Sequence, residues 1–349
     1  MEIQTDIKSR KSGVPLSYTN GLLDKLAQLA KVSGQIVPTS IIESARKAKE
    51  LESRKKLQKR ARCKYITTQI ATALSKLDSP LKKSYKNSIF CNNLISQNGN
   101  ELTAKYCKNR WCLNCNRIRT GFLINGYTEP LKELNEKRFV TLTIPNVKES
   151  ELPGTITEML KRFRMIQKTF QKRKTPVVGI RKMECTYNYE ANTYHPHFHL
   201  IIEGQQTGND IIDQWVKHYP EAEIWLQKNL PADDNTIKEL FKYFTKLISK
   251  NSNKLVSMPI IHIKSLDIIF RAMKGKRVFQ PMGFKKKIDE ENAFDEITAE
   301  TYSIEPQQTE WSWENEASDW INVRTGECLA QYTPSENVLS ILESINNSS

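Results

Sequence analysis

The segment Tyr194-His-Pro-His-Phe-His-Leu-Ile-Ile202 places histidines at 195, 197 and 199. No other stretch constrains the fold as much. Side chains of a strand alternate between its faces, so the three imidazoles share one face while Phe198, Leu200 and Ile202 share the other. The apolar set needs a core and the polar set a site. Neutral imidazoles two residues apart on a strand can grip one cation. Pro196 lacks an amide hydrogen, which suits an edge strand or the first turn of a strand. The preceding stretch, Lys182-Met-Glu184-Cys-Thr-Tyr187, reads as the other arm of a hairpin turning at Asn188 to Asn192. Glu184 would then lie opposite the histidines as an oxygen ligand. Two histidines and a carboxylate leave coordination positions open for a phosphate oxygen.

The order of elements around this hairpin is mixed. Phe139 to Ile144 is a β-branched strand closed by Pro145, Glu158 to Lys172 a helix, Val177 to Tyr187 and Thr193 to Ile202 the two hairpin arms. Asp210 to His218 reads as a helix, Glu223 to Leu226 as a short strand, Asp233 to Lys250 as a longer helix, Pro259 to Ile263 as a strand and Ser265 to Met273 as a helix. That order predicts an α+β fold, an antiparallel sheet with helices on one face. Upstream, Leu22 to Leu29 has helical apolar spacing and Ala45 to Arg62 is a Lys/Arg-rich helical stretch, either a solvated helix or one lying along DNA phosphates.

Seven cysteines are unevenly placed. Cys107-x4-Cys112-x2-Cys115 lies among Lys105, Lys108, Arg110, Arg117 and Arg119, and Cys91 completes a four-thiolate set. Structural Zn²⁺ is tetrahedral and favours such ligands, and it would hold a small subdomain that lacks a core of its own. Cys63, Cys185 and Cys328 stand apart from that set.

Charge is polarised along the chain. The 349 residues carry a net +14, yet residues 288–349 hold 14 acidic residues against Arg324, a net −13, which leaves +27 on residues 1–287. A body that basic suits a polyanion, nucleic acid above all. The acidic segment reads as a mobile tail, with Trp311, Trp313 and Trp320 docking on the body or on a partner. No apolar run approaches the roughly 18 residues of a membrane span, and Met1-Glu-Ile-Gln-Thr-Asp6 has no basic-then-apolar leader, so no membrane association and a cytoplasmic location are expected. There is no G-x4-G-K-[S/T] phosphate-binding loop for ATP.

The helix over Asp233 to Lys250 puts Glu239 and Tyr243 four apart on one face, with Lys242 and Lys246 on the adjacent face. A tyrosine oxygen can attack phosphorus and hold a DNA end as a phosphotyrosine, with a lysine steadying developing charge.

Taken together, Phe139-Val-Thr-Leu-Thr-Ile144, His195-Pro-His-Phe-His199 and Glu239-x3-Tyr243-x2-Lys246 occur in the order of an HUH endonuclease. The chain resembles the rolling-circle plasmid replication initiators of the Rep family common in Gram-positive bacteria. Phe270 to Arg277, Met282 to Lys285 and Cys107 to Cys115 resemble further family motifs, with Leu113 where the family carries a proline. The resemblance implies a five-stranded antiparallel HUH sheet over residues 132–287 and a zinc subdomain over 81–131, flanked by a basic helical region over 1–80 and the acidic segment 288–349. It implies Mg²⁺ or Mn²⁺ on His197 and His199, with Glu184 or His195 as third ligand, and Zn²⁺ on Cys91, Cys107, Cys112 and Cys115. It further implies Tyr243 as the origin-nicking nucleophile, Glu239 as activator of water for the terminating cleavage, and Lys246 as a catalytic cation. The implied partners are double-stranded origin DNA, single-stranded DNA, a host helicase and a DNA polymerase. A relaxase or a single-tyrosine transposase would be the nearest other HUH enzymes, although relaxases usually place the tyrosine before the histidines. A non-catalytic zinc-containing DNA-binding regulator would explain the charge and the cysteines but not the histidine strand.

Overall fold

The computed structural model describes residues 39–240, 261–284 and 299–346. The fold is α+β, with two five-stranded sheets in which every strand pair is antiparallel. Helix α1 (Thr39–Lys76) precedes α2 (Lys82–Ile89), the hairpin β1 (Leu94–Gly99) and β2 (Glu101–Ala104), and α3 (Leu113–Lys132). Then come β3 (Lys137–Thr143), α4 (Leu152–Lys172), β4 (Gly179–Asn188), β5 (Thr193–Glu203) and α5 (Gln205–His218). A 3-10 turn (Ile224–Leu226), β6 (Lys228–Pro231), α6 (Asp234–Leu240), α7 (Ile263–Met273) and β7 (Phe279–Met282) complete this part. The chain closes with β8 (Glu300–Thr301), β9 (Gln307–Glu314), β10 (Asp319–Asn322) and α8 (Glu336–Asn346).

One sheet has the order β6-β3-β5-β4-β7, so the histidine strand β5 is central. Val140, Leu142, Met183, Phe198, Leu200 and Ile202 are buried in its core. Phe163 of α4 and Trp215 of α5 meet Phe198 with ring centroids 5.4 and 5.6 Å apart, so both helices cover the face opposite the histidines. Pro196 therefore sits in a central strand and not at an edge. Tyr194 exchanges both backbone hydrogen bonds with Val147, so the nitrogen two residues on faces the same side. There β3 has already ended at Thr143, paired with His197, and no ladder bond is lost.

The stretch over 223–226 is a 3-10 turn where a strand is expected. The Gln227 side chain donates to Glu223 O (3.1 Å) and accepts from the Thr143 amide (2.8 Å), which folds the turn back. The expected strand over 259–263 gives way to α7 starting at Ile263; residues 259 and 260, like the expected helix over 22–29, lie outside the described residues.

The other sheet, β10-β9-β1-β2-β8, corrects the reading of the acidic segment as a mobile tail. Net charge conceals a period-2 pattern in β9: Thr309, Trp311 and Trp313 are buried while Glu310 and Glu314 are exposed. Trp311 donates to Gln97 Oε1 (3.0 Å) and Trp320 to Asn92 O (2.8 Å), so the tryptophans dock on the body itself. Helix α1 joins the two halves. Leu57 and Ala61 belong to the core under the tryptophan sheet, Ile70 and Leu74 to the core of the histidine sheet. The helix is longer than the basic stretch suggests, and two of its cations, Arg60 and Lys64, are fully buried.

Glu300 of β8 explains Arg60. Its carboxylate receives both Arg117 nitrogens at 2.7 Å and the hydroxyls of Tyr106 (2.9 Å) and Tyr302 (3.1 Å), with Arg60 Nη1 at 3.5 Å. Burial alone would raise this carboxyl, but Arg117 and then Arg60 and Tyr106 outweigh it and hold it at about 2. A depressed carboxylate stabilises the fold above its unfolded pKa, near 4.3, and loses that contribution as pH falls toward 2. The contribution is roughly 3 kcal/mol from the two pKa values. Glu300→Gln is expected to lower the midpoint of thermal unfolding at pH 7, and the gap between variant and wild type should close between about pH 4.5 and pH 2 in calorimetry.

Candidate metal centres and active site

The hairpin register puts Glu184 directly opposite His197 and Lys182 opposite His199. His197 Nε2 lies 3.4 Å and His199 Nε2 3.6 Å from Glu184 Oε2, and one ligand atom from each residue falls within 4.8 Å of the others. His197 Nδ1 is 3.0 Å from the carbonyl of His195. A carbonyl only accepts, so Nδ1 carries the hydrogen and Nε2 of the neutral ring is bare. His199 Nδ1 bonds Thr141 Oγ1 (3.2 Å) and its ring stacks on Phe139, with centroids 5.1 Å apart. Burial lowers the His199 pKa and so favours the neutral imidazole.

Lys182, itself buried, holds Glu184 Oε1 at 2.5 Å and leaves Oε2 to the histidines. Burial pushes the Glu184 carboxyl up, but the adjacent His197 and His199 rings and the charge of Lys182 prevail, and it stays well below the usual carboxylate range. Two imidazole nitrogens, that of His197 bare, and one carboxylate oxygen thus converge on a single point. That donor set fits a divalent cation.

His195 is set apart from this group. Its Nε2 lies 2.7 Å from Thr143 Oγ1 and its Nδ1 2.9 Å from Asn146 Oδ1, so both ring nitrogens are taken by protein groups. Burial, then the charges of His197 and His199, lowers its pKa to about 4. Its ring stacks on His197 (5.1 Å), and it lies outside the Glu184–His197–His199 group. Sequence reading overlooked Lys182 and Thr141, although both lie on the histidine face. Lys182 is two residues from Glu184, and register places Thr141 beside His199. Lys228, exposed at the sheet edge and paired with Thr141, extends the same row.

The second centre lies between α2, β2 and α3. Sγ atoms of Cys91, Cys107, Cys112 and Cys115 lie within 4.8 Å of one another, with Cys91–Cys115 at 3.7 Å and Cys107–Cys115 at 3.6 Å. A tetrahedral Zn–S distance of about 2.3 Å gives S···S edges near 3.8 Å, so the four sulfurs already have the shape of a zinc site. Burial raises the Cys112 and Cys115 thiols well above their ordinary value, and a bound cation would reverse that cost. Cys112 caps α3, and the Leu113 amide, which a proline would lack, donates to Thr67 Oγ1 (3.1 Å). The isolated Cys63, Cys185 and Cys328 are free thiols outside the group.

Glu239 lies on α6, whose start is capped by Asp233 accepting from the Thr236 amide (2.8 Å). Buried Ile237 and Leu240 anchor α6, which packs against β5 and α3. The Glu239 side chain, Tyr243 and Lys246 lie outside the described residues.

Two measurements check these centres. Metal analysis should find one zinc per chain, lost in Cys115→Ser. Calorimetric titration with Mn²⁺ should show binding weakened at least tenfold by His197→Ala or Glu184→Ala and less by His195→Ala.

The family model described as replication protein matches residues 101–225, which include three of the four cysteines and the Glu184–His197–His199 group. A "Protein rep" of a Bacillus species is 34% identical over 143 residues, 39% of this chain and 45% of that one. A "Protein rep" of Bacillus amyloliquefaciens is 37% identical over 128 residues, 35% of this chain and 37% of its own length. One from Staphylococcus aureus is 32% identical over 157 residues, 43% of this chain and 66% of that protein. The chain thus spans between about a third and two thirds of the length of these curated relatives. No solved structure matches it at a significant level. With the α+β HUH-type sheet and its histidine strand in place, these matches show a Rep-type replication-protein domain in this chain.

Proposed function

We propose that this chain is a rolling-circle replication initiator that nicks one strand of origin DNA through a tyrosine nucleophile. The observation that carries the reading is the convergence of His197 Nε2, His199 Nε2 and Glu184 Oε2 on the side of a central strand opposite the core helices. A divalent ion held there, Mg²⁺ or Mn²⁺, would supply Lewis-acid polarisation of the scissile phosphate. Lys182 keeps the Glu184 carboxylate oriented, and the Thr141 hydroxyl and the His195 carbonyl fix the imidazoles, so the ligands need no rearrangement.

In this reading the Tyr243 oxygen attacks phosphorus. A tyrosyl phosphodiester forms on the 5′ side, the P–O3′ bond breaks, and the free 3′ hydroxyl primes synthesis by a host polymerase. The exchange conserves the phosphodiester energy and needs no nucleotide. Glu239, one helical turn before Tyr243 in sequence, would take the proton from the water of the terminating cleavage, and Lys246 would steady the developing phosphate charge. Zn²⁺ on the four cysteines would brace the region that carries β1 and β2. A host helicase would act on DNA opened at the nick.

The test is a covalent-adduct assay with single-stranded DNA from the chain's own replicon and Mn²⁺, resolved on a denaturing gel. Wild type should yield a shifted protein–DNA band, and Tyr243→Phe none; Glu184→Ala should reduce the band by at least a hundredfold. If metal-loaded wild-type protein binds this DNA yet forms no adduct on any segment of either strand, the nicking reading is wrong.

A further inference from the structure

Helix α4 packs Phe163 on Phe198 and so lies on the sheet face opposite the metal group. Its outward side carries Arg164, Lys168 and Lys172, all exposed and four residues apart, hence in line on one face. None of the three has a carboxylate partner among the described residues. The acidic residue on this helix, Glu158, is occupied by Arg162 (2.6 Å) and Lys161 (3.5 Å).

The turn before β7 lies alongside. Lys276 Nζ bonds Thr157 Oγ1 (3.0 Å) and Gln280 bonds Gln167 (3.3 Å), which brings exposed Lys274 and Arg277 next to the stripe. Beneath them Arg181 is fully buried, with its guanidinium 4.6 Å from the Phe198 ring and 5.6 Å from that of Phe163. Its one hydrogen bond among the described residues is to the Arg277 carbonyl (3.1 Å), and its Nε and Nη1 have no partner there. Nearby acidic groups are spent elsewhere: Glu149 and Asp267 both pair with Arg271. A low-dielectric guanidinium without a counter-charge therefore adds its field to a surface already rich in cations.

We infer that the α4 stripe (Arg164, Lys168, Lys172) and the adjoining turn residues Lys274 and Arg277 form a second DNA surface that takes the phosphate backbone of duplex DNA. Neighbours on a helix face lie about 6 Å apart, close to the spacing of successive phosphates along a strand, so a line of three cations can follow one backbone. The stripe lies behind the sheet, on the outward side of a helix packed opposite the histidine face, so DNA held there is not DNA being cut. Duplex would be gripped at the back while the strand to be cleaved lies at the front. The inference rests on the reading that the protein acts on DNA and is independent of the tyrosine chemistry.

The test compares wild type with Arg164→Ala/Lys168→Ala/Lys172→Ala, all exposed positions, in the full-length protein. Binding to a fluorescent duplex of about 30 base pairs from the replicon's origin is followed by anisotropy across a salt series. The triple variant should bind at least tenfold more weakly at about 0.1 M salt, and its plot of log affinity against log salt should be shallower by about 3, at roughly 0.9 for each phosphate no longer neutralised. Adduct formation on a short single-stranded oligonucleotide should be unchanged, because the metal face is untouched. Equal affinity and slope would overturn the inference. So would tighter duplex binding, the result expected if the acidic stretch of residues 289–298 occupies the stripe. Loss of duplex binding in the variant, with no adduct from either protein, would leave this surface standing and remove only the nicking reading.

Discussion

The pairing register of β4 with β5 is the constraint on which the metal centre depends. Glu184 faces His197 because the hairpin turns between Asn188 and Thr193 with that offset and no other. A shift of one residue would send the carboxylate into the core and present Met183 or Cys185 to the histidines. The core side enforces the offset: Met183, Phe198 and Leu200 are fully buried, and slipping would expose them. Hydrophobic packing on one side of the strand thus fixes ligand geometry on the other, with no covalent link between them.

Lys182 and the imidazole tautomers refine that geometry. A buried lysine beside a carboxylate is costly to desolvate, yet here it occupies one oxygen and leaves the other directed at two nitrogens. The zinc-shaped cysteine set follows the same logic, with burial raising the cost of an unfilled site. In both centres the protein holds like donors together against their mutual repulsion, which a cation relieves.

Much of this was legible in the sequence, and the failures have physical causes. Alternation revealed the histidine strand and its partner, and spacing revealed Cys91, Cys107, Cys112 and Cys115, because both signals are local. That His195 would be held by Thr143 and Asn146, about 50 residues away, while Glu184 meets His197 and His199, was not legible, since neither contact is local. Of the two readings of Pro196 the edge strand fails and the strand's beginning holds, because the end of a neighbouring strand, invisible in sequence, frees its position from the ladder. Net charge misled about the C-terminal region: fourteen acids describe a surface, while the period-2 tryptophans describe a strand.

The return of β8 and β9 to flank β1 and β2 has a consequence for how the molecule comes into being. Gly99 pairs with Gln307 and Glu101 with Thr301, contacts that span about two hundred residues. On a growing chain the hairpin flanked by Cys91 and Cys107 leaves the ribosome with both edges open and Arg60 and Arg117 without their carboxylate. It waits while the whole histidine sheet is synthesised. Closing so distant a contact is slow, so the nascent hairpin must be kept from pairing with other exposed edges until the final strands arrive.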